Sequence, residues 1–263
     1  MNKRNFLKSF IAAALVGSAC QSGLVHADVL ANAEKSGLLR VAIPQDFPPF
    51  GTVGADLKPV GYDIDVANLI GRELKLKVEL IPVTSTNRIP YLTTGKADLV
   101  ISSLGKNPDR EKVIDFSIAY APFYNGIFGP TDVVVKTAAD TAGRLIGVTR
   151  GAVEDLEFSK IAPTSATIKR FEDNNATISA YLSGQVQLIA TGNVVAAAVN
   201  ERTKIRRLDT KFLIKNSPCY VGVAKGEAAL LAKVNEAIAK LKKSGDLNQV
   251  SQRWLQMPLP ADL

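Results

Sequence analysis

The chain has 263 residues, with 32 lysines and arginines against 25 aspartates and glutamates, a formal net charge of +7. That length is ample for a core in one or two lobes. A charge this modest, without a Lys/Arg run interleaved with aromatics, does not suit nucleic acid.

The first residues read as an export signal. Lys3, Arg4 and Lys8 are positive, no acid precedes Asp28, and an apolar run from Phe10 to Ala19 follows. Val25-His26-Ala27 then offers small residues for cleavage. The run is shorter than the roughly 20 apolar residues that span a bilayer. Lys3-Arg4-Asn5-Phe6-Leu7-Lys8 has the look of a weakened twin-arginine signal. Gly17-Ser18-Ala19-Cys20 departs from a lipoprotein signal at Gly17, which disfavours a lipid anchor at Cys20. Cleavage after Ala27 removes three positive charges and lowers +7 to +4.

The chain's one histidine, His26, leaves with that segment. What remains has no Ser-His-Asp or Cys-His machinery, no histidine metal site and no GxxxxGK[ST] phosphate loop. No cofactor is expected. Cys219 is then the sole cysteine, read as a small buried apolar residue.

Along the rest of the chain, strand-type runs alternate with helical patterns. Leu38 to Ile43 is a strand, and Ile64, Ala67, Ile70 and Leu74 recur at helical spacing. Lys77 to Val83 alternates as a strand, a short helix opens at Ile89 and closes at Gly95, and Leu99 to Ile101 is a buried strand. A second series begins near Gly126. Its strands are Leu145 to Val148, Ile168 to Phe171 and Val186 to Ala190; its helices start near Ala152, Ala176 and Asn193. Tyr220 to Ala224 returns as a strand, and two helices close the chain, the second from Asp246 to Leu255. This order implies parallel strands with helical crossovers in two α/β lobes, each a mixed sheet flanked by helices. Ligands of such sheets sit beyond the carboxyl ends of the strands.

The loop Ser102-Ser103-Leu104-Gly105-Lys106-Asn107-Pro108-Asp109-Arg110 leaves a strand and enters a helix. Asn107 suits the N-cap, Pro108 the first helical position, and Asp109 the helix dipole. Backbone N–H groups, two hydroxyls and the Arg110 guanidinium together make a carboxylate site. The same residues also describe a capped turn with Arg110 in a surface ion pair, and chemistry alone leaves both open.

Ordered motifs along the chain favour the first. They are Leu38-Leu39-Arg40-Val41-Ala42, Phe47-Pro48-Pro49-Phe50, Gly61-Tyr62-Asp63-Ile64-Asp65, Gly95-Lys96-Ala97-Asp98-Leu99, Asn107-Pro108-Asp109-Arg110-Glu111, Ile114-Asp115-Phe116-Ser117 and Arg253-Trp254-Leu255. In this order they resemble the solute-binding proteins of polar amino-acid ABC importers (solute-binding protein family 3). Thr84-Ser85-Thr86-Asn87-Arg88-Ile89-Pro90 and the tail Met257-Pro258-Leu259-Pro260 look most like glutamate/aspartate-binding members.

The resemblance implies a type II periplasmic-binding-protein fold: residues 28–126 with 220–263 as one lobe, 127–219 as the other, and two hinge strands near Tyr124 to Phe128 and Pro218 to Gly222. It implies Arg110 as the grip on a ligand α-carboxylate, with Ser103 and the Gly105 N–H beside it. Phe47 falls at a covering aromatic, Ser85 and Arg88 at side-chain contacts, and Thr149, Gly151 and Ala152 at the second lobe's loop. The implied partners are a small carboxylate ligand and the transmembrane subunits of an ABC permease, with a monomeric periplasmic protein between them.

Three departures bear on the ligand. Gly192 stands where the family usually carries an acid for the ligand's α-ammonium, Gly151-Ala152-Val153 lacks the usual hydroxyls, and Gly105 replaces a Thr or Ser. Arg150 adds a cation near the cleft. Either Glu154 or Asp155 replaces the missing acid, or the ligand has no ammonium; three arginines favour a carboxylate-rich ligand. Asp63, Asp65 and Asp115 read as caps and turn-formers, and Trp254 as packing. The alternative from another class is an enzyme similar to periplasmic cyclohexadienyl dehydratases, which would need a cleft acid at a position such as Gly192.

Overall fold

The computed structural model describes residues 28–263. The expected export signal, its expected cleavage site and Cys20 lie outside the described residues.

The first half runs α1 (Val29–Ser36), β1 (Leu38–Pro44), β2 (Thr52–Val53), β3 (Pro59–Val60), α2 (Tyr62–Leu74), β4 (Lys77–Val83), α3 (Arg88–Thr93), β5 (Leu99–Val100), α4 (Pro108–Glu111) and β6 (Ile114–Ala121). The second half runs β7 (Tyr124–Gly129), β8 (Leu145–Thr149), α5 (Val153–Ile161), β9 (Thr167–Phe171), α6 (Asn174–Leu182), β10 (Leu188–Gly192), α7 (Asn193–Arg202) and β11 (Asp209–Asn216). The chain then returns through β12 (Cys219–Ala224), α8 (Ala228–Ser244) and α9 (Asp246–Leu255).

Two five-stranded mixed sheets result. The first has the order β4-β1-β5-β12-β6, and the second β11-β7-β10-β8-β9. β1 pairs in parallel with both β4 and β5, and β8 with both β9 and β10; β12 and β7 run antiparallel to their neighbours. Central strands buried on both faces explain the near-continuous apolar runs. Leu39, Val41 and Ile43 pack with α2 and α8 residues such as Ile70 and Ile238, while Ala42 and Val100 face Leu92 of α3. In the second sheet Ile146, Val148 and Leu188 pack on Phe158 of α5. Each such Val, Leu, Ile or Phe side chain contributes about 1.5–3 kcal/mol on full burial.

The two chain crossings between sheets fall at Pro122-Phe123 and Ser217-Pro218. β7 lies wholly in the second sheet and β12 wholly in the first, so the chain changes sheets just before Tyr124 and at Pro218, at the start of each strand named from sequence. The crossings are tied together where the Ser217 N–H donates to the Phe123 carbonyl at 3.0 Å. Beside them, Phe123 packs on Phe50 and Phe47 with ring centroids 5.5 and 6.1 Å apart. Cys219 is fully buried, and burial pushes its thiol well up.

The halves are shut on one another. Asp46, after β1, accepts from the Asn174 N–H at the start of α6 at 2.7 Å, and the Asn174 side chain donates back to the Asp46 carbonyl at 3.1 Å. Burial raises the Asp46 pKa, opposed by the Asn174 N–H. Asp46→Ala is expected to open the unliganded protein and weaken solute binding by about 1–2 kcal/mol. A larger radius of gyration in X-ray scattering checks this; an unchanged one contradicts it.

Candidate functional site

The loops at the carboxyl ends of β1, β4, β5 and β8 converge between the sheets, as open α/β sheets require. They close over a small cavity of about 10 Å³, lined by Phe47, Ser85, Arg88, Ser103, Gly105, Phe123, Asn125, Ala152, Val153, Glu154 and Ser217. That is about the space of one water molecule. Larger hollows of about 340 and 620 Å³ lie elsewhere, one lined by Asp65, Arg72 and Arg253, the other by Ile118, Tyr220 and Pro260. The small cavity differs from both in its wall. Arg88 Nε, Asn125 Oδ1, Glu154 Oε1 and Ser217 Oγ are buried there with no hydrogen-bond partner among the described residues. Buried polar atoms are nearly always satisfied, so their convergence marks a place for polar matter.

The β5–α4 loop forms as its residues dictate. Asn107 caps α4 by accepting from the Arg110 N–H at 2.9 Å, and Pro108 opens the helix. Ser103 has φ +41°, a left-handed conformation that a serine adopts at a cost. Asp63, in the first turn of α2, holds it there: Asp63 Oδ2 accepts from the Ser103 N–H at 2.6 Å, and Oδ1 from the Tyr120 hydroxyl at 2.6 Å. Burial raises the Asp63 carboxyl to about 7, with those two donors opposing. Asp63 is thus more than a turn-former. Asp65 instead anchors α9, accepting from Trp254 Nε1 and Arg253, and Asp115 accepts from Lys225 and the Gly226 N–H.

Arg110 is buried between the halves. Its Nη1 donates to the Gly105 carbonyl at 2.7 Å, and its Nη2 to the Gly151 carbonyl at 2.9 Å across the cleft. It stands beside the cavity rather than on its wall. Arg88, the first residue of α3, is on the wall, and its Nη1 donates to the Ser102 carbonyl at 2.6 Å. Burial, then the charge of Arg88, pushes the Arg110 pKa down to about 9, with Glu154 opposing. Burial also lowers Arg88. Neither arginine has an ion pair among the described residues. An anion seated near them would relieve both desolvation and mutual repulsion.

Of the residues expected at the ligand, Phe47, Ser85, Arg88, Ser103, Gly105 and Ala152 line this cavity, and Phe50 is core. Gly151 is not on the wall; its carbonyl accepts from Arg110 beside the cavity. Gly105 permits the closure: a Cβ there would lie 2.4 Å from Ser217 Oγ and 2.7 Å from Val153 Cγ2.

Three residues are not brought in. Thr149 Oγ1 is taken up with Thr177 Oγ1 at 2.8 Å. Arg150 continues the β8–β9 ladder, its side chain is about half exposed, and it pairs with Glu172 at 2.9 Å. Gly192 is covered by the Phe123 ring, so close that a Cβ would lie 1.9 Å from Phe123 Cζ. The structure thus brings two of the three arginines to the cleft, with a buried acid beside them.

That acid is Glu154, in the first turn of α5, which accepts from Asn125 Nδ2 at 2.9 Å. Sequence reasoning offered it only as one of two candidates. The other, Asp155, is spent on the Gly151 N–H and on Arg170. Ser217 and Phe123 lie on the crossings and Asn125 near the start of β7, and none carries a local motif. Burial raises the Glu154 carboxyl to about 7; Arg88 and Arg110 pull it down, and Asp155 raises it. An acid raised on folding binds its proton more tightly folded than unfolded. Its contribution to stability is present at low pH and is lost as pH rises through about 7. Glu154→Gln should therefore gain stability relative to wild type between about pH 5 and pH 8, read from urea unfolding across that range. A constant difference contradicts it. Among the described residues no group of three or more His, Cys, Asp or Glu side chains could hold a metal.

The fold and this crevice define a two-lobed binding protein, and comparison with known proteins agrees. Residues 39–257 match the model of the bacterial extracellular solute-binding proteins, family 3, and the chain belongs to that family. It is 25% identical over 255 residues to the L-cystine-binding protein TcyJ of Escherichia coli (strain K12), covering 95% of each. It is 24% identical over 271 residues to the glutamate/aspartate import solute-binding protein of the same strain, covering 95% of this chain and 90% of the relative. Among solved structures, the ancestral amino acid-binding protein AncCDT-1, a precursor of cyclohexadienyl dehydratase, matches with a TM-score of 0.77 and 28% identity, over 86% of this chain and 98% of that one.

Proposed function

We propose that the protein captures an amino acid or close relative between its two lobes outside the cytoplasm and delivers it to an ABC permease. The observation that carries this reading is the convergence, from both halves, of buried polar atoms without partners on one closed cavity. The names of the relatives support an amino-acid ligand and an importer as partner. In this reading the lobes follow the sheets, 28–121 with 219–263 and 124–216, and rotate about the crossings at 122–123 and 217–218. The solute's carboxylate is held by Ser103, the Gly105 N–H and the Arg88–Arg110 pair; Phe47, Ser85 and Ala152 shape the pocket. Binding shifts the population to the shut form by its extra affinity for that form. The protein is monomeric, and the leader is cleaved after Ala27 for release into the periplasm.

A thermal-shift screen of amino acids, keto acids and dicarboxylates tests this. A true ligand at 100 times its dissociation constant adds about 2.7 kcal/mol of stability; no shift with any of them would refute the reading. One observation favours a second reading: Glu154 is an acid positioned in the cleft, as dehydratase chemistry needs. Incubation with prephenate and arogenate separates the two. The expected result is no product, since the proposal is binding without turnover.

A further inference from the structure

We infer that Glu154, held by Asn125, is a cation subsite that selects solutes carrying an ammonium group near the carboxylate. The inference rests on the proposed capture of a carboxylate solute in the inter-lobe cavity and names the group that decides which carboxylates enter.

The buried acids near the cleft are Asp46, Asp63, Glu154 and Asp155. Asp46 is bound to the Asn174 N–H, Asp63 to Ser103 and Tyr120, and Asp155 to Gly151 and Arg170. Of the four, Glu154 has a buried oxygen, Oε1, with no partner among the described residues. Beside it Asn125 Oδ1 is a second free acceptor on the same wall, while Arg88 Nε is a free donor. Glu154, Arg88 and Asn125 are 3, 4 and 1% exposed, so water screens none of them.

Carboxylate and guanidinium line the same cavity, yet no ion pair within 4.0 Å closes between Glu154 and either Arg88 or Arg110. A solute with an anionic and a cationic end satisfies both poles at once, each charge meeting a buried opposite charge. A carboxylate without an ammonium leaves Glu154 desolvated and unpaired, which costs several kcal/mol or requires its protonation. The other place a cation could sit, the end of β10, is sealed by Phe123 lying on Gly192. The charged groups facing Glu154 are Arg88 from α3, Arg110 from α4 and Asp155 from its own helix.

Calorimetric titration of the full mature protein with matched L-amino and L-2-hydroxy acids tests this. The pairs are alanine and lactate, glutamate and 2-hydroxyglutarate, arginine and argininic acid, leucine and leucic acid, phenylalanine and phenyllactate. At about pH 8 the wild type should bind at least one amino acid ~100-fold or more tightly than its hydroxy partner, and Glu154→Gln should reduce that ratio below ~10-fold. Wild-type preference for ammonium should also fade as pH drops below about 7 and the carboxyl keeps its proton. Hydroxy acids binding as tightly as amino acids to the wild type overturns the subsite while leaving carboxylate capture intact. A ratio unchanged by Glu154→Gln overturns it too. If the variant does not fold, the wild-type pH profile decides: a ratio that stays constant from pH 8 to pH 5 overturns the inference. No binding of either member of any pair sinks the proposed function itself.

Discussion

Replacing Arg110 by alanine is expected to weaken solute binding by about 3–5 kcal/mol, on the order of a hundred- to several thousand-fold. The side chain is 5% exposed and ties two loops, donating to Gly105 O on one side of the cleft and to Gly151 O on the other. Its loss leaves both carbonyls without their donor, removes a cation from the carboxylate end, and leaves Glu154 with Arg88 as its one nearby guanidinium. Arg110→Lys keeps the charge but not the planar fork that reaches two carbonyls, so it should fall between wild type and alanine. Calorimetry with the solute found in the thermal-shift screen gives both values. Near-wild-type affinity in Arg110→Ala would assign carboxylate recognition to Arg88 alone.

The second large effect concerns Gly192. Restoring an acid there, Gly192→Asp, should destabilise the protein by about 1–3 kcal/mol or more, the usual cost of overpacking. A Cβ would lie 1.9, 2.4 and 2.9 Å from three atoms of the Phe123 ring. That ring cannot yield cheaply, because it sits against Phe47 and Phe50 on a hinge crossing. Each kcal/mol corresponds to a melting-temperature fall of about 2–4 °C in a chain of this size. Adding Phe123→Ala should recover part of the loss, a coupling visible in a double-mutant cycle. Purely additive changes would show that the ring and Gly192 do not constrain each other.

Much of this architecture was legible from local pattern. β4 and α7 coincide with their alternation and helical period from sequence, as does α9. β6 and β11 were not assigned as strands, because strands that flank a crossing take their register from tertiary pairing rather than from a local signal. The loop proposed for the carboxylate end stood out in the sequence because it carries its cap, its proline and its arginine together. The cation end was not. Glu154 follows an ordinary helix start, and its burial depends on Asn125 from another strand and on two arginines distant in sequence. Arg150 was expected as an added cation near the cleft, but its side chain turns outward to Glu172. Asp63 looked like a helix-start residue, and only the fold brings Ser103 and Tyr120 to its two oxygens.

A crystal structure of the protein with the amino acid that stabilises it most bears directly on the two-pole pocket. The expected density lies between the sheets, with the carboxylate within hydrogen-bond distance of Ser103 or the Gly105 N–H and a guanidinium, and the ammonium within reach of Glu154. Density on an outer face, or an inter-lobe solute whose cationic end points away from Glu154, would contradict it.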